Sequence, residues 1–531
     1  MNQLNKKKNI TPTLISAALA AFIAQPSLAQ TSEAQVSTGM LEEILVTAQK
    51  RAFSAQLTPV ALTAATGDTL RENGVASALD LNGLSPSLSV ASSNGQLQLT
   101  MRGVGNEILL SGVGEAGVAM HSNGVYLGSN VTATAMFFDI ERVEVMRGPQ
   151  GTLWGRNSTG GAINVIQKKP TEEFEGFAAI DYGNYNSIDL EAAVSGSLTD
   201  SVQGRIAVKH SKSDGFLKNL APGGDDMGDD NSISVRASIN VDLDRGSWLL
   251  AAGHSDWDIA GRSVKQEGTS FPSGSPTVFG LPGGLAFSEI AYGQAAPAGK
   301  FETYSTNPNA GEEADLEYFT SELSLELDSA NLTVLTDYRQ HERSYRVDGD
   351  FTPSAVESVF LDFTESAEEF SQEIRLASTE GSAISWVVGA YYYQQDLDLS
   401  TVVEWGAYPG IPDLLFSGAF GPGYPRVGVD FGGTLEIKSL GLFGQSTIPI
   451  NESWAATVGL RYSSDKKNSD EYTDFLFGGV GGLSLAPGTG KFSDEWSDWT
   501  GKLGLEYKAA DDVFVFANIS KGYKSGGINV G

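Results

Sequence analysis

The run Ile233-Ser234-Val235-Arg236-Ala237-Ser238-Ile239-Asn240-Val241-Asp242-Leu243 places apolar residues at odd positions and polar ones at even positions. Side chains on a β-strand alternate between faces, so this run reads as a strand with one apolar and one polar face. Two earlier runs repeat the pattern. Ile188, Leu190, Ala192, Val194 and Leu198 oppose Asp189, Glu191, Ser195 and Ser197, and Val202, Ile206 and Val208 oppose Gln203, Arg205 and Lys209. Working outward, about thirteen such segments follow residue 173, the last four near 434–448, 454–465, 497–509 and 512–524.

Alternation alone fits a soluble sandwich as well as a membrane barrel. Segment length and connections separate the two. Runs of about ten residues or more are long for soluble strands and suit strands tilted across a bilayer. The connections at 199, 244–246, 329, 379–383, 449–452 and 510 are tight, whereas those near 214–230, 257–314, 344–367, 396–433 and 466–496 are long. Short and long connections alternate after the first, as in outer-membrane barrels with brief periplasmic turns and long external loops. The expected architecture is therefore an N-terminal α/β domain followed by an antiparallel transmembrane β-barrel. Bacterial single-chain barrels have even strand numbers. A thirteenth strand running into Tyr523-Lys524-Ser525-Gly526-Gly527 leads to the expectation that the barrel continues in a longer parent chain.

Composition narrows the function classes. The 531 residues carry 35 basic and 65 acidic side chains, a net charge of −30, which argues against nucleic acid as a partner. With 19% charged residues well mixed with apolar ones, wholesale disorder is also excluded. Cysteine is absent, so neither disulfides nor thiolate metal sites can form. His121, His210, His254 and His341 lack metal-ligand spacing, and no catalytic residues, resident metal or cofactor are expected. At the N-terminus, Lys6, Lys7 and Lys8 precede the apolar run Leu14 to Ala24, and Ser27-Leu28-Ala29 supplies small residues for cleavage. Residues 1–29 thus read as a signal peptide, residues 30–52 as a connecting segment, 53–169 as the α/β domain and 170–531 as barrel.

Within 53–169, Ser77 and Asp80 are spaced to cap a short helix ending before Pro86. Leu97, Leu99 and Met101 alternate with Gln98 and Thr100 as a strand, and Asn123-Gly124 between apolar pairs signals a hairpin. Val143 and Val145, then Ile163 and Val165, mark two further strands. They flank Asp139-Ile140-Glu141-Arg142-Val143-Glu144-Val145-Met146-Arg147-Gly148-Pro149-Gln150-Gly151-Thr152-Leu153-Trp154-Gly155-Arg156-Asn157-Ser158-Thr159-Gly160-Gly161. The glycines match neither a Walker loop nor a dinucleotide fingerprint, and close packing with unusual backbone angles is the better account.

That stretch resembles the plug-domain signature of TonB-dependent outer-membrane receptors. Met101-Arg102-Gly103-Val104-Gly105 and Gly124-Val125-Tyr126-Leu127-Gly128 resemble two other plug segments of the family. In the barrel, Phe370-Ser371-Gln372-Glu373-Ile374-Arg375-Leu376, Trp386-Val387-Val388-Gly389-Ala390-Tyr391-Tyr392 and Ser520-Lys521-Gly522-Tyr523-Lys524-Ser525-Gly526-Gly527 are similar to family patterns. The resemblance implies a plug inside a 22-stranded barrel, with about nine strands beyond this sequence. It assigns a structural and gating role to the plug signature, here Arg102, Gly103, Glu141, Arg142, Glu144, Arg147, Gly148, Pro149, Gly151, Gly155, Arg156, Gly160 and Gly161. It further implies that Arg147 and Arg156 pair with carboxylates of the barrel wall.

Between the cleavage site and the plug lies Glu42-Glu43-Ile44-Leu45-Val46-Thr47-Ala48-Gln49-Lys50-Arg51. Its core is short, apolar and β-prone, suited either to an ordinary first strand or to strand addition on a partner's sheet edge. By resemblance, Glu43, Ile44, Leu45, Val46, Thr47 and Ala48 form a TonB box. The partners implied are TonB with ExbB and ExbD, outer-membrane lipid of a Gram-negative bacterium, and an imported ligand. The short spacer before Ile44 leaves no room for an additional signalling domain. Ferric siderophore uptake is the expected function, with cobalamin or oligosaccharide as alternative cargo; a passive porin and a secreted soluble β-protein are the readings of other classes. Trp257, Phe287, Tyr292, Trp405 and Tyr408 are the candidate ligand-contacting loop aromatics. The acidic run Asp225-Asp226-Met227-Gly228-Asp229-Asp230 could offer oxygen ligands to Ca²⁺, but a solvated loop is the simpler account.

Overall fold

A computed structural model describes residues 44–93, 96–105, 115–220, 225–259, 301–303, 311–348, 359–405, 427–477, 488–510 and 513–528. Thirteen strands form one antiparallel sheet in sequence order. They are β1 (Glu175–Tyr182), β2 (Ile188–Thr199), β3 (Val202–Ser213), β4 (Asp230–Leu243), β5 (Gly246–Ile259), β6 (Gly311–Glu326) and β7 (Ala330–Asp348). After these come β8 (Val359–Ser378), β9 (Ser385–Trp405), β10 (Val427–Pro449), β11 (Trp454–Phe477), β12 (Gly488–Ala510) and β13 (Val513–Ser520). Among the described residues β1 and β13 are its two edges.

Register assigns each side chain to a face. Tyr393 of β9 lies opposite Ser371 and Ser439, and all three are buried on the inner side. The alternate residues face outward and form an apolar belt that includes Leu440, Leu442, Val458, Leu460 and Leu503, all exposed. Aromatic rings rim the belt at two heights. Near the short turns stand Trp248, Trp386 and Trp454, the last stacked on Tyr507 at 4.4 Å. Toward the long connections stand Phe319, Tyr338, Phe370 with Tyr392, and Tyr462 with Trp499. From Trp454 to Tyr462 the strand runs nine residues, within the length of a tilted membrane strand.

The strand count agrees with expectation, but the outer ends do not. β10 begins at Val427, β11 runs to Phe477 and β12 begins at Gly488, well inside segments expected to be loops. Beyond the upper girdle the outward face carries Glu436, Lys438, Lys466, Asn468, Asp470 and Glu495. Water replaces lipid there, so apolar alternation stops while the backbone ladder continues. Two loop aromatics are corrected by the same extension: Trp257 lies on β5, and Trp405 is the last residue of β9. Phe287, Tyr292 and Tyr408 lie outside the described residues.

The α/β domain is built on a five-stranded sheet in the spatial order Ala61–Thr66, Ile140–Arg147, Gly161–Gln167, Val118–Ser122, Val125–Tyr126. Gly161–Gln167 runs antiparallel to Ile140–Arg147 and parallel to Val118–Ser122. The expected hairpin at Asn123-Gly124 is present, both residues having positive φ, 50° and 83°. Asp80 accepts from the Ser77 amide and hydroxyl, both at 2.8 Å, and caps a short 3₁₀ helix, Ala78–Gly83. One core cluster joins Val143, Val145, Ile163 and Val165 to Leu316 and Tyr318 of β6; a second joins Ala119, Met146 and Ala162 to Tyr393, Leu397 and Phe443. The domain therefore packs against the inner face of the sheet, as a plug.

Candidate functional site

The apolar segment before the plug is not free. Leu45–Val46 pairs antiparallel with Phe53–Ser54, and Val46 and Ala48 are fully buried. The Thr47 amide donates to Glu144 at 2.8 Å, and its hydroxyl lies 3.2 Å from both carboxylate oxygens. Glu144 is itself wholly buried on the plug strand Ile140–Arg147 and also accepts from Arg142 Nε at 2.9 Å. Burial raises its pKa above the ordinary carboxylate value, with the Thr47 and Arg142 bonds opposing. Trp154 Nε1 donates to the Ala48 carbonyl at 2.9 Å. Two members of the glycine-rich signature region thus hold the peptide.

Lys50 carries the segment across to the wall. Its backbone turns through a left-handed φ of 58°, and its buried ammonium lies 3.1 Å from Glu373 of β8. The same nitrogen sits 4.5 Å above the Trp154 ring and 3.4 Å from the Gly124 carbonyl. Desolvation pulls its pKa below the usual lysine value, against the attraction of Glu373. Arg51 continues to the wall more weakly, donating to the Ser378 carbonyl at 3.0 Å and to the Ser378 and Ser385 hydroxyls.

The plug signature divides into backbone and charge roles. A Cβ on Gly161 would lie 2.3 Å from both the Met146 carbonyl and the Met101 sulfur, so only glycine lets these strands close. Gly155, at φ +84°, leaves room for the Arg461 guanidinium. Arg102 and Gly103 form a left-handed turn, and the Arg102 guanidinium lies beside Gly148. Pro149 accepts from Ser520 at 3.2 Å, Gly151 abuts the Lys521-Gly522 backbone, and Gly160 is tight against Met101 and Val104. Glu141 pairs with Arg142.

Arg156 is buried 3.6 Å from both Glu115 of the plug and Asp465 of β11, and its guanidinium lies 4.7 Å from the Tyr393 ring centre. Lys467 of β11 also pairs with Glu115. Desolvation pushes the Glu115 carboxyl up, but Arg156 and Lys467 outweigh it and bring it down to about 2. Burial drives the neighbouring Tyr126 phenol up to about 12. The expected wall carboxylate exists for Arg156. Arg147 is different: it donates to the Ala61 and Leu62 carbonyls at 3.4 and 3.5 Å. It lies on the strand paired with Ala61–Thr66, which places edge carbonyls within its reach.

Sequence reasoning missed the reverse pairing, an acid on the plug with arginines on the wall. Asp139 accepts from Arg205 of β3 at 2.5 and 2.8 Å and is also bound by Arg236 of β4. The available signal was polar residues on a face that a membrane sheet must bury. Lys50 and Glu115 were missed as well, because their wall partners, Glu373 and Lys467, lie hundreds of residues away. Trp257 lines the lumen, 3.4 Å from Glu312. Asp225, Asp226, Asp229 and Asp230 line a wide, open hollow, and no metal-binding cluster of three acidic or histidine side chains occurs among the described residues.

A plug gripped by ion pairs within a girdled antiparallel wall defines a plugged outer-membrane receptor. The chain belongs to the TonB-dependent receptor family: the TonB-dependent receptor plug domain matches residues 54–162, and the TonB-dependent receptor-like β-barrel matches residues 247–531. These barrels lie in the outer membrane of Gram-negative bacteria, and the family comprises transport receptors. The pesticin receptor of Yersinia pestis is 25% identical over 513 residues, covering 94% of this chain and 66% of that protein. The vitamin B12 transporter BtuB of Vibrio vulnificus is 27% identical over 222 residues, 41% of this chain and 35% of the transporter. Among solved structures, the ferric yersiniabactin uptake receptor FyuA of Yersinia pestis superposes with a TM-score of 0.70 at 18% identity, covering 89% of this chain and 66% of that one. The chain thus spans about two thirds of the length of the longer relatives it matches.

Proposed function

We propose that the chain forms the plug and part of the barrel of an active-transport receptor that binds a ferric siderophore outside and releases it to the periplasm. TonB, driven through ExbB and ExbD by the proton-motive force, would supply the work by pairing with residues 43–48. The observation carrying this reading is the apolar 44–48 segment, seated on the plug near the short-turn end of the wall. A β-prone peptide there can be handed to a partner's sheet edge. A passive pore would need neither that peptide nor a plug fixed by buried charges. The relatives' names support the cargo: ferripyoverdine and metal-pseudopaline receptors and a ferric yersiniabactin uptake receptor are among them. Similarity to a vitamin B12 transporter keeps cobalamin as the competing cargo.

The test is uptake of radiolabelled ferric siderophores and cobalamin by cells carrying the full-length receptor, with and without a proton uncoupler. Deleting Ile44–Ala48 should abolish uptake and leave surface binding intact. Persistent uptake in the deletion would refute energy coupling; uptake of cobalamin alone would replace the cargo.

A further inference from the structure

On the inward face of β7, Asp337, Arg339, His341 and Arg343 follow one another, and Glu365 and Glu369 share that face on β8. Each guanidinium already meets an acid. Arg339 Nε lies 2.8 Å from Asp337, and Arg343 Nε lies 3.1 Å from Glu312 of β6. Glu369 is held by neutral donors: the Gly128 amide and the Tyr393 hydroxyl, both at 3.2 Å, and Gln395 at 3.4 Å. Glu365 meets the imidazole instead, with His341 Nε2 2.8 Å from its carboxylate. His341 is buried on every side. Across β6 it faces Leu316, with Tyr318 alongside; across β8 it faces Ala367, between Glu365 and Glu369; on its own strand stand Arg339 and Arg343. From the plug, the Ser129 hydroxyl donates to the same Glu365 oxygen at 3.1 Å, and Leu127 and Met136 join the apolar cluster around Leu316.

The permanent charges of this cluster do not balance. Glu312, Asp337, Glu365 and Glu369 share the two guanidinium groups of Arg339 and Arg343. His341 can supply a further positive charge, and imidazole is the side chain that titrates between about pH 5 and 8. As a cation it gives Glu365 a charged partner. As a neutral ring it leaves an enclosed carboxylate with neutral donors alone, and an uncompensated charge away from water is costly. That cost falls on one corner of the plug. Ser129 shares its acceptor with His341, the Gly128 amide sits on the next inward acid of β8, and the short helix Asn130–Ala135 follows directly. The fit there is close, since a Cβ on Gly128 would collide with the Tyr393 hydroxyl. We propose that His341 is a proton switch on the contact between plug and wall. Protonated, it holds Glu365 in place to receive Ser129; deprotonated, it loosens the corner from Gly128 to Ala135 while the plug sheet stays seated. The contact is firm near pH 6 and weakens as pH rises through the imidazole titration. The switch belongs to the contact itself and is independent of the cargo.

The test is amide hydrogen exchange, read by mass spectrometry, on the full-length receptor in outer-membrane vesicles, with the intrinsic pH dependence of exchange divided out. Between about pH 6 and about pH 8.5, protection over residues 127–136 should fall at least about tenfold, with Gly161–Gln167 unchanged. His341→Gln keeps an N–H for Glu365 but cannot titrate, so the corner should be loose at both pH values. Glu365→Gln removes the carboxylate that needs a cation, so protection should be the same at both. Heat-modifiable gel mobility shows whether each variant folds; where His341→Gln does not, the Glu365→Gln profile decides. A flat profile in the unaltered receptor overturns the switch, as does a tenfold fall that persists in either variant. Protection lost equally over Gly161–Gln167 overturns it too, because the whole plug and not this corner would then be responding.

Discussion

The two faces of the wall invert the usual arrangement of a folded protein. Outside, the belt between the girdles exposes Leu440, Leu442, Val458, Leu460 and Leu503. Inside, buried ion pairs join plug and wall at Lys50–Glu373, Arg156–Asp465 and Asp139 with Arg205 and Arg236. Lipid rewards the first face because it solvates hydrocarbon and nothing else. The second face meets the plug through these buried charges and through two apolar clusters. The belt fixes the wall in the membrane, and the interior contacts fix the plug to the wall.

The comparison is broken most severely by charging the belt. Val458→Arg, midway between Trp454 and Tyr462 on β11, should cost about 2–4 kcal/mol of insertion free energy and deplete the outer-membrane fraction, read by heat-modifiable gel mobility. The same arginine at outward Ser464, above the girdle, should leave insertion unchanged. Next comes a buried interior charge. Arg156→Met leaves Asp465 without this cation and Glu115 with Lys467 alone, and should lower plug stability by about 3–5 kcal/mol, measured as plug unfolding in a receptor whose wall stays folded.

Acid gives a smaller and more selective effect. The Glu115 carboxyl sits at about 2 in the folded plug against an ordinary 4.5. A depressed carboxyl contributes stability that is complete above pH 4.5 and lost as pH falls toward 2. Plug melting should show that decline in the unaltered receptor, and Glu115→Gln should flatten it. An identical acid slope in both would remove Glu115 from the account. The smallest change is Trp154→Phe, which deletes the donor to the Ala48 carbonyl and keeps a ring beneath Lys50. It should cost about 0.5–1.5 kcal/mol, seen as faster amide hydrogen exchange over residues 45–50 with the central plug strands unchanged.

Much of this was legible in the chain itself, because the signals were local. Alternation at Ile233–Leu243 states the two faces, the tight and long connections state the topology, and Asn123-Gly124 states its hairpin. Strand ends above the girdle were not legible, since outside lipid no hydrophobic contrast marks them. Arg147 and Arg156 stand nine residues apart in one signature, yet one meets backbone carbonyls and the other a wall carboxylate. Sequence by itself determined a membrane wall with a small α/β domain ahead of it, because side-chain period and turn chemistry act over a few residues. Only the tertiary structure decided which charges meet, Lys50 with Glu373 across 323 positions above all. A buried pair is set by where two chain segments are brought together, and no local pattern encodes that.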